Sequence, residues 1–101
     1  MSQLRLMILS LCPNYGGKIF KILTEAKYPV SEATLYKALH RMEARGWLTS
    51  EWDLSEAPRK HYELTYAGMV ARLNLYSTYQ AMIRAVEKVT RHGIIKKEYR
   101  S

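Results

Sequence analysis

Residues 31–45 read S-E-A-T-L-Y-K-A-L-H-R-M-E-A-R. At about 100° per residue, Leu35, Leu39 and Met42 fall on one side of a helix, with Ala38 beside them. The opposite side carries Ala33, Lys37, His40, Arg41 and Ala44, a basic face on which small residues space the long side chains apart. Ser31 is placed to cap the first turn, and Glu32 favours the positive end of the helix dipole. Gly46 stands where a left-handed terminating residue belongs. A helix with an apolar back and a cationic front can rest on a small core and press its front into a DNA groove. The same pattern also describes a solvated surface helix that is merely basic, so its neighbours must decide.

Upstream, residues 3–11 are apolar almost all round, with Leu4, Leu6, Met7, Ile8, Leu9 and Leu11, which predicts a short buried helix. This run ends at Cys12 and faintly mimics a lipoprotein leader, but it is short, and Leu11 is not the small residue that cleavage requires. It reads as the first helix of the fold. Pro13 ends it and Asn14 supports a turn. Gly16 and Gly17 lead into a second helix over residues 17–26, where Ile19, Ile22 and Leu23 share a face, Phe20 joins its edge, and Lys18 and Lys21 point outward. The double glycine lacks the preceding strand and following Lys-Ser/Thr of a phosphate-cradling loop. Pro29 drives Tyr28 toward an extended conformation and stops the helix. Helix, brief turn and a helix with a basic outer face form the helix-turn-helix pattern.

After Gly46 the period changes to two. W-L-T-S-E-W, residues 47–52, and R-K-H-Y-E-L, residues 59–64, read as the strands of a hairpin around a polar loop at 53–58. Tyr62 and Leu64 take one face of the second strand, His61 and Glu63 the other. A hairpin following a helix-turn-helix is the winged-helix arrangement. The wing brings Arg59 and Lys60 toward DNA, while Asp53 and Glu56 repel phosphate from its tip, so contact is expected only at its basic base. Both tryptophans, Trp47 and Trp52, are expected to pack from strand to core.

Thr65 caps a last helix expected to end at His92, before Gly93. It carries two apolar stripes about 120° apart. One is Met69, Leu73, Tyr76 and Ile83; the other is Leu75, Tyr79, Met82, Val86 and Val89. One stripe can cover the chain's own core, and a second copy of the chain is the simplest cover for the other. Leu75, Tyr79, Met82, Val86 and Val89 are therefore the candidate dimer interface. The alternative is one broad buried face inside a monomer. Residues 94–101, with Lys96, Lys97 and Arg100, read as a basic tail. The fold class is thus mostly α with a small β-hairpin: a winged helix-turn-helix plus a long C-terminal dimerisation helix. It forms one domain over 1–101, with a DNA-binding part at 1–64, a dimerisation helix at 65–92 and a basic tail at 93–101.

The totals agree. A chain of 101 residues with 48% hydrophobic side chains forms one small core. The net charge of +7 suits a polyanionic partner, nucleic acid or an anionic surface. A single cysteine excludes an intrachain disulfide and fits a reducing cytoplasm. No run reaches the roughly eighteen apolar residues of a spanning helix, so no membrane partner is expected. His40, His61 and His92 lie on separate elements, and no cluster has metal-ligand or catalytic spacing. The reading is therefore of a non-enzyme with no metal and no cofactor. Lys37, His40 and Arg41 are the candidate contacts to base edges or phosphates, and Thr34 and Tyr36 the candidate backbone contacts.

Two separated runs, V-S-E-A-T-L-Y-K-A-L-H-R-M-E-A-R-G-W-L from Val30 and P-R-K-H-Y-E-L-T-Y-A-G from Pro58, resemble the PadR family of bacterial winged-helix transcriptional regulators. N-Y-G-G-K-I at residues 14–19 is similar to that family's turn into its second helix. The resemblance covers roughly residues 4–73. It implies a homodimer held by the N- and C-terminal helices and bound to an inverted-repeat operator on double-stranded DNA, usually as a repressor. It places Ser31, Thr34, Tyr36 and Lys37 at the DNA-facing start of the recognition helix, and Arg59 and Lys60 on the wing. Ala33 and Lys37 depart from the Gly and Pro often found in the family, and Lys37 adds a donor. Some members bind planar aromatic ligands between the long helices, which makes Tyr76, Tyr79 and Met82 the candidate lining for a small aromatic effector. The competing reading is a protein-interaction module on the same scaffold without its own operator.

Overall fold

Four helices and three short strands follow in the order α1 (Ser2–Leu11), β1 (Asn14–Tyr15), α2 (Gly16–Glu25), α3 (Glu32–Ala44), β2 (Leu48–Asp53), β3 (Arg59–Leu64) and α4 (Tyr66–Arg100). This computed structural model describes the backbone of residues 2–100 and the side chains of residues 3–93. Leu4, Ile8 and Leu9 of α1, Ile19 and Leu23 of α2, and Leu35, Leu39 and Met42 of α3 meet in one core. Leu48 and Tyr62 close it from the sheet and Ala71 from α4. Each fully buried aliphatic side chain contributes about 1.5–3 kcal/mol. The three positions read as the back of the organising helix are therefore what fixes α3 to the body.

The sheet is antiparallel in the order β1-β3-β2. β2 and β3 pair from Leu48 opposite Leu64 to Asp53 opposite Arg59. Tyr62 is buried and Glu63 exposed, as the alternation predicts. β1 was not expected. Asn14 and Tyr15 pair with Tyr62 and His61 on the free edge of β3. A two-residue strand has no periodicity of its own; only the edge it covers makes it one.

Both ends of α3, the end of α2 and the start of α4 are closed by local chemistry. The Ser31 hydroxyl accepts the Thr34 N–H at 3.1 Å, capping α3. At its other end Gly46 takes φ +80°, its N–H bonds the Glu43 carbonyl, and the Trp47 N–H bonds that of Met42, both at 3.0 Å. This is the double bond of a Schellman motif. Lys27, at φ +61°, closes α2 in the same way.

Thr65 caps α4 through the Gly68 N–H at 3.0 Å, and its hydroxyl donates to the Gly46 carbonyl. The start of α4 is thereby tied to the end of α3. Past this junction α4 packs against α1. It does not stop at His92: it passes through Gly93 and runs to Arg100. One glycine costs a helix only about 1 kcal/mol, and no proline follows to end it. The side chains assigned to a basic tail, Lys96, Lys97 and Arg100, lie outside the described residues.

Candidate nucleic-acid interface

α3 presents the face that its spacing predicts. Ala33, Lys37, His40, Arg41 and Ala44 are all exposed. Among the described residues the ion pairs are Arg59–Asp53 and His61–Glu63, so Lys37 and Arg41 have no carboxylate partner. Of the two acids on α3, Glu32 lies in the first turn, and Glu43 accepts a 2.6 Å hydrogen bond from the Ser50 hydroxyl of β2. The sheet thus draws the negative charge aside and leaves the outer face cationic.

At the start of α3, Ser31 and Thr34 are engaged with each other. The Ser31 hydroxyl donates to Thr34 Oγ1 at 2.9 Å while accepting the Thr34 N–H. Both are exposed, and Thr34 keeps its own hydroxyl proton for an outside acceptor. Tyr36 is half-buried and packs against the core. Its ring lies over Gly16, where an added Cβ would come within 3.0 Å of Tyr36 Cε1. The second-helix glycine thus makes room for an aromatic ring. Tyr36 therefore acts first as packing, with an edge toward the interface.

The wing places its two cations differently. Arg59 is exposed, but its guanidinium lies 3.9 Å from the centre of the Tyr15 ring and 3.8 Å from the Asp53 carboxylate. Asp53 also accepts from the Ser55 hydroxyl at 2.6 Å, the Ser55 N–H at 3.0 Å and the Tyr15 hydroxyl at 2.7 Å. These hydrogen bonds, those from Ser55 first, hold its carboxyl well below the usual range, with Arg59 adding a smaller push. The acid at the wing engages Arg59, whose charge is partly spent within the wing. Lys60 is half-buried, with its ammonium 5.7 Å from the centre of the Trp52 ring.

Trp52 corrects the expectation of core packing. It is 61% exposed, whereas Trp47 packs against the core. Trp52 lies on the last inward-facing register position of β2, opposite Lys60, beyond the reach of the core. It helps line a cleft of about 460 Å³ between wing and α3, together with Tyr36, His40 and Lys60. The alternation marked its face but not where the core ends.

Two further cations were missed. Arg5 of α1 and Arg45 at the end of α3 flank Trp47, at 5.7 and 5.3 Å from its ring centre. The only available signal was that Arg5 is the single cation in an apolar helix. On α4, Leu75 lies half-buried against the chain's own core, while Tyr79, Met82, Val86 and Val89 are exposed. The core-facing positions are Gly68, Ala71 and Leu75, so neither stripe covers the core as a whole. Tyr79 and Met82 line a small cleft of about 130 Å³ with Leu6 and Leu75, and Tyr76 belongs to a separate one beside Leu73. Within one chain the three candidate effector residues are therefore not brought together. Among the described residues no group of His, Cys, Asp and Glu could hold a metal ion, and no helix is long and apolar enough to cross a membrane.

Residues 6–73 match the model of the transcriptional regulator PadR-like family. The chain belongs to that family. A PadR family transcriptional regulator from Eggerthella lenta is 30% identical, covering 86% of this chain and 80% of that one, with a TM-score of 0.78. A PadR-like transcription factor from Bacteroides fragilis is 32% identical over 86% and 89%, with a TM-score of 0.73. A PadR family regulator from Clostridium difficile, at 24% identity over 86% and 97% with a TM-score of 0.78, shares the fold. No match was found among curated proteins. This PadR-like chain is thus a winged-helix, DNA-binding transcriptional regulator. The matched family is one of transcriptional regulators, and the Eggerthella lenta relative is described as one.

Proposed function

We propose that two copies of the chain form a cytoplasmic repressor that grips an inverted-repeat operator with paired α3 helices. One observation carries the reading: Lys37, His40 and Arg41 stand exposed and, among the described residues, without a carboxylate partner on a helix whose opposite side is locked into the core. Lys37 and Arg41 meet base edges or phosphates, Ser31 and Thr34 position the helix start on the backbone, and His40 and Lys60 face the cleft toward the wing. Arg59 and Tyr36 support this surface from behind. The dimer follows from α4, where Tyr79, Met82, Val86 and Val89 are between 40% and 72% exposed, far more apolar surface than a lone helix leaves in water. Isologous pairing along this stripe would set two α3 helices about one DNA turn apart, roughly 34 Å. The same pairing would bring Tyr79 and Met82 of both copies around one space suited to a planar aromatic effector, with Tyr76 outside it on the neighbouring stripe.

The test is operator selection from random duplexes followed by Lys37→Ala and Arg41→Ala. Selected fragments should be two-fold symmetric, and each substitution should weaken binding by about 1–3 kcal/mol while sedimentation still shows a dimer. Affinity should fall steeply with salt as counterions are released. Unaltered binding in both variants would remove α3 from the interface and favour a protein-interaction module. A chain that stays monomeric would remove the two-fold operator.

A further inference from the structure

The flank of α3 that faces α1 is hollow. A cleft of about 310 Å³ lies there, lined by Arg5 of α1 and by Lys37, Arg41 and Arg45, over apolar ground that includes Leu4 and Met42. No carboxylate lines it, and none of the four cations forms an ion pair among the described residues. Like charges converging on one space repel each other unless an anion enters it.

Two of the four are already held in place. The guanidinium groups of Arg5 and Arg45 both lie over the Trp47 ring. Stacking of this kind fixes a guanidinium and lowers the conformational entropy lost when its fork binds. Arg5 has the stronger need for a partner. Its Nε is shut off from solvent and has no hydrogen-bond acceptor, so the group bears a desolvation cost that stacking on Trp47 offsets only in part. An oxyanion on the terminal N–H groups of the same guanidinium would offset it, because charge-assisted fork contacts are the strong ones.

We propose that this cleft is an oxyanion site of the phosphate class, with Arg5 and Arg45 as its fixed forks and Lys37 and Arg41 as its mobile cations. The anion has two sources: a free phosphate-class ion, or a backbone phosphate of the duplex held by α3. The second source rests on the DNA-binding reading above; the first does not. Either way the site links α3 to α1, the helix that packs against α4.

The experiment uses the full chain and two readouts. Thermal unfolding is followed in sodium phosphate and in sodium chloride at equal ionic strength, for wild type, Arg5→Gln, Arg45→Gln and Arg5→Lys. Phosphate at ten times its Kd should raise the wild-type Tm by about 5 °C or more over chloride. Both Gln variants should lose that increment, and Arg5→Lys, with charge but no fork, should keep part of it. An equal rise in all four proteins is the general salting effect of phosphate and counts against a free-ion site. Duplex binding is then measured against chloride concentration. If a backbone phosphate fills the cleft, Arg5→Gln flattens the salt slope by about one, and free phosphate competes beyond its ionic strength. If the ion is free, the slopes match and the Tm increment stands. A phosphate-specific increment in a chain that binds no duplex would leave this site intact and overturn the operator reading. No specific increment and no change in slope would overturn the site itself.

Discussion

The two glycines of α4 offer a test in which one substitution should act with opposite sign at two positions of one helix. Gly68 is buried in the first turn, and a Cβ built on it would overlap the carbonyl of Trp47 and crowd Leu64. Gly93 is exposed, and nothing lies within 4 Å of such an atom. In isolation both changes to alanine favour helix by up to about 1 kcal/mol. At Gly93 that gain stands alone, so Gly93→Ala should stabilise by about 0.5–1 kcal/mol. At Gly68 the first turn must move off Trp47 and the end of β3. The displacement costs about 1–3 kcal/mol by overpacking and loosens the 3.1 Å bond from the Thr65 N–H to the Trp47 carbonyl, worth about 1 kcal/mol. Against a gain of about 1 kcal/mol, Gly68→Ala should destabilise by roughly 2 kcal/mol. For a chain of this length the Tm should fall by about 10 °C for Gly68→Ala and rise by about 4 °C for Gly93→Ala. Urea unfolding followed by helical circular dichroism and tryptophan fluorescence, at one protein concentration, reads both. A Gly68→Ala protein as stable as wild type, or more so, would refute the claim that α4 docks through its missing Cβ.

Two further outcomes follow from local geometry. Lys27 holds the left-handed position that closes α2, where a non-glycine residue is strained by about 1 kcal/mol. Lys27→Gly should therefore stabilise by about 0.5 kcal/mol after the extra freedom of the unfolded chain is subtracted, readable as a higher urea midpoint with an unchanged m-value. Burial pushes the Cys12 thiol up to about 11 from 9.0, with Arg72 pulling weakly the other way. The folded state then binds this proton more tightly than the unfolded one, so this contribution to stability is intact below pH 9 and is lost as the pH rises through 11. Alkylation by iodoacetamide near neutrality should be slow in the native protein and fast in urea; equal rates would show that the thiol is neither buried nor shifted.

What could be read along the chain is what depends on neighbours in sequence. The period of Leu35, Leu39 and Met42, the cap at Ser31 and the left-handed Gly46 are each set within a few residues, so α3 and its cationic face were legible before any coordinate. The alternation around Tyr62 and the loop at 53–58 made the wing legible in the same way. Tertiary placement decided the rest. β1 exists because β3 has an edge beside it, and Trp52 is exposed because the core ends at the previous inward-facing pair, Ser50 opposite Tyr62. Arg59 turns to Asp53 because the hydrogen bonds from Ser55 and Tyr15 fix that carboxylate beside it. Arg5, an unremarked cation in an apolar helix, reaches the recognition helix only through the packing of α1 on α3. Periodicity and capping report short-range geometry. A charge, a ring or a missing Cβ acquires its meaning from whatever the fold sets opposite it.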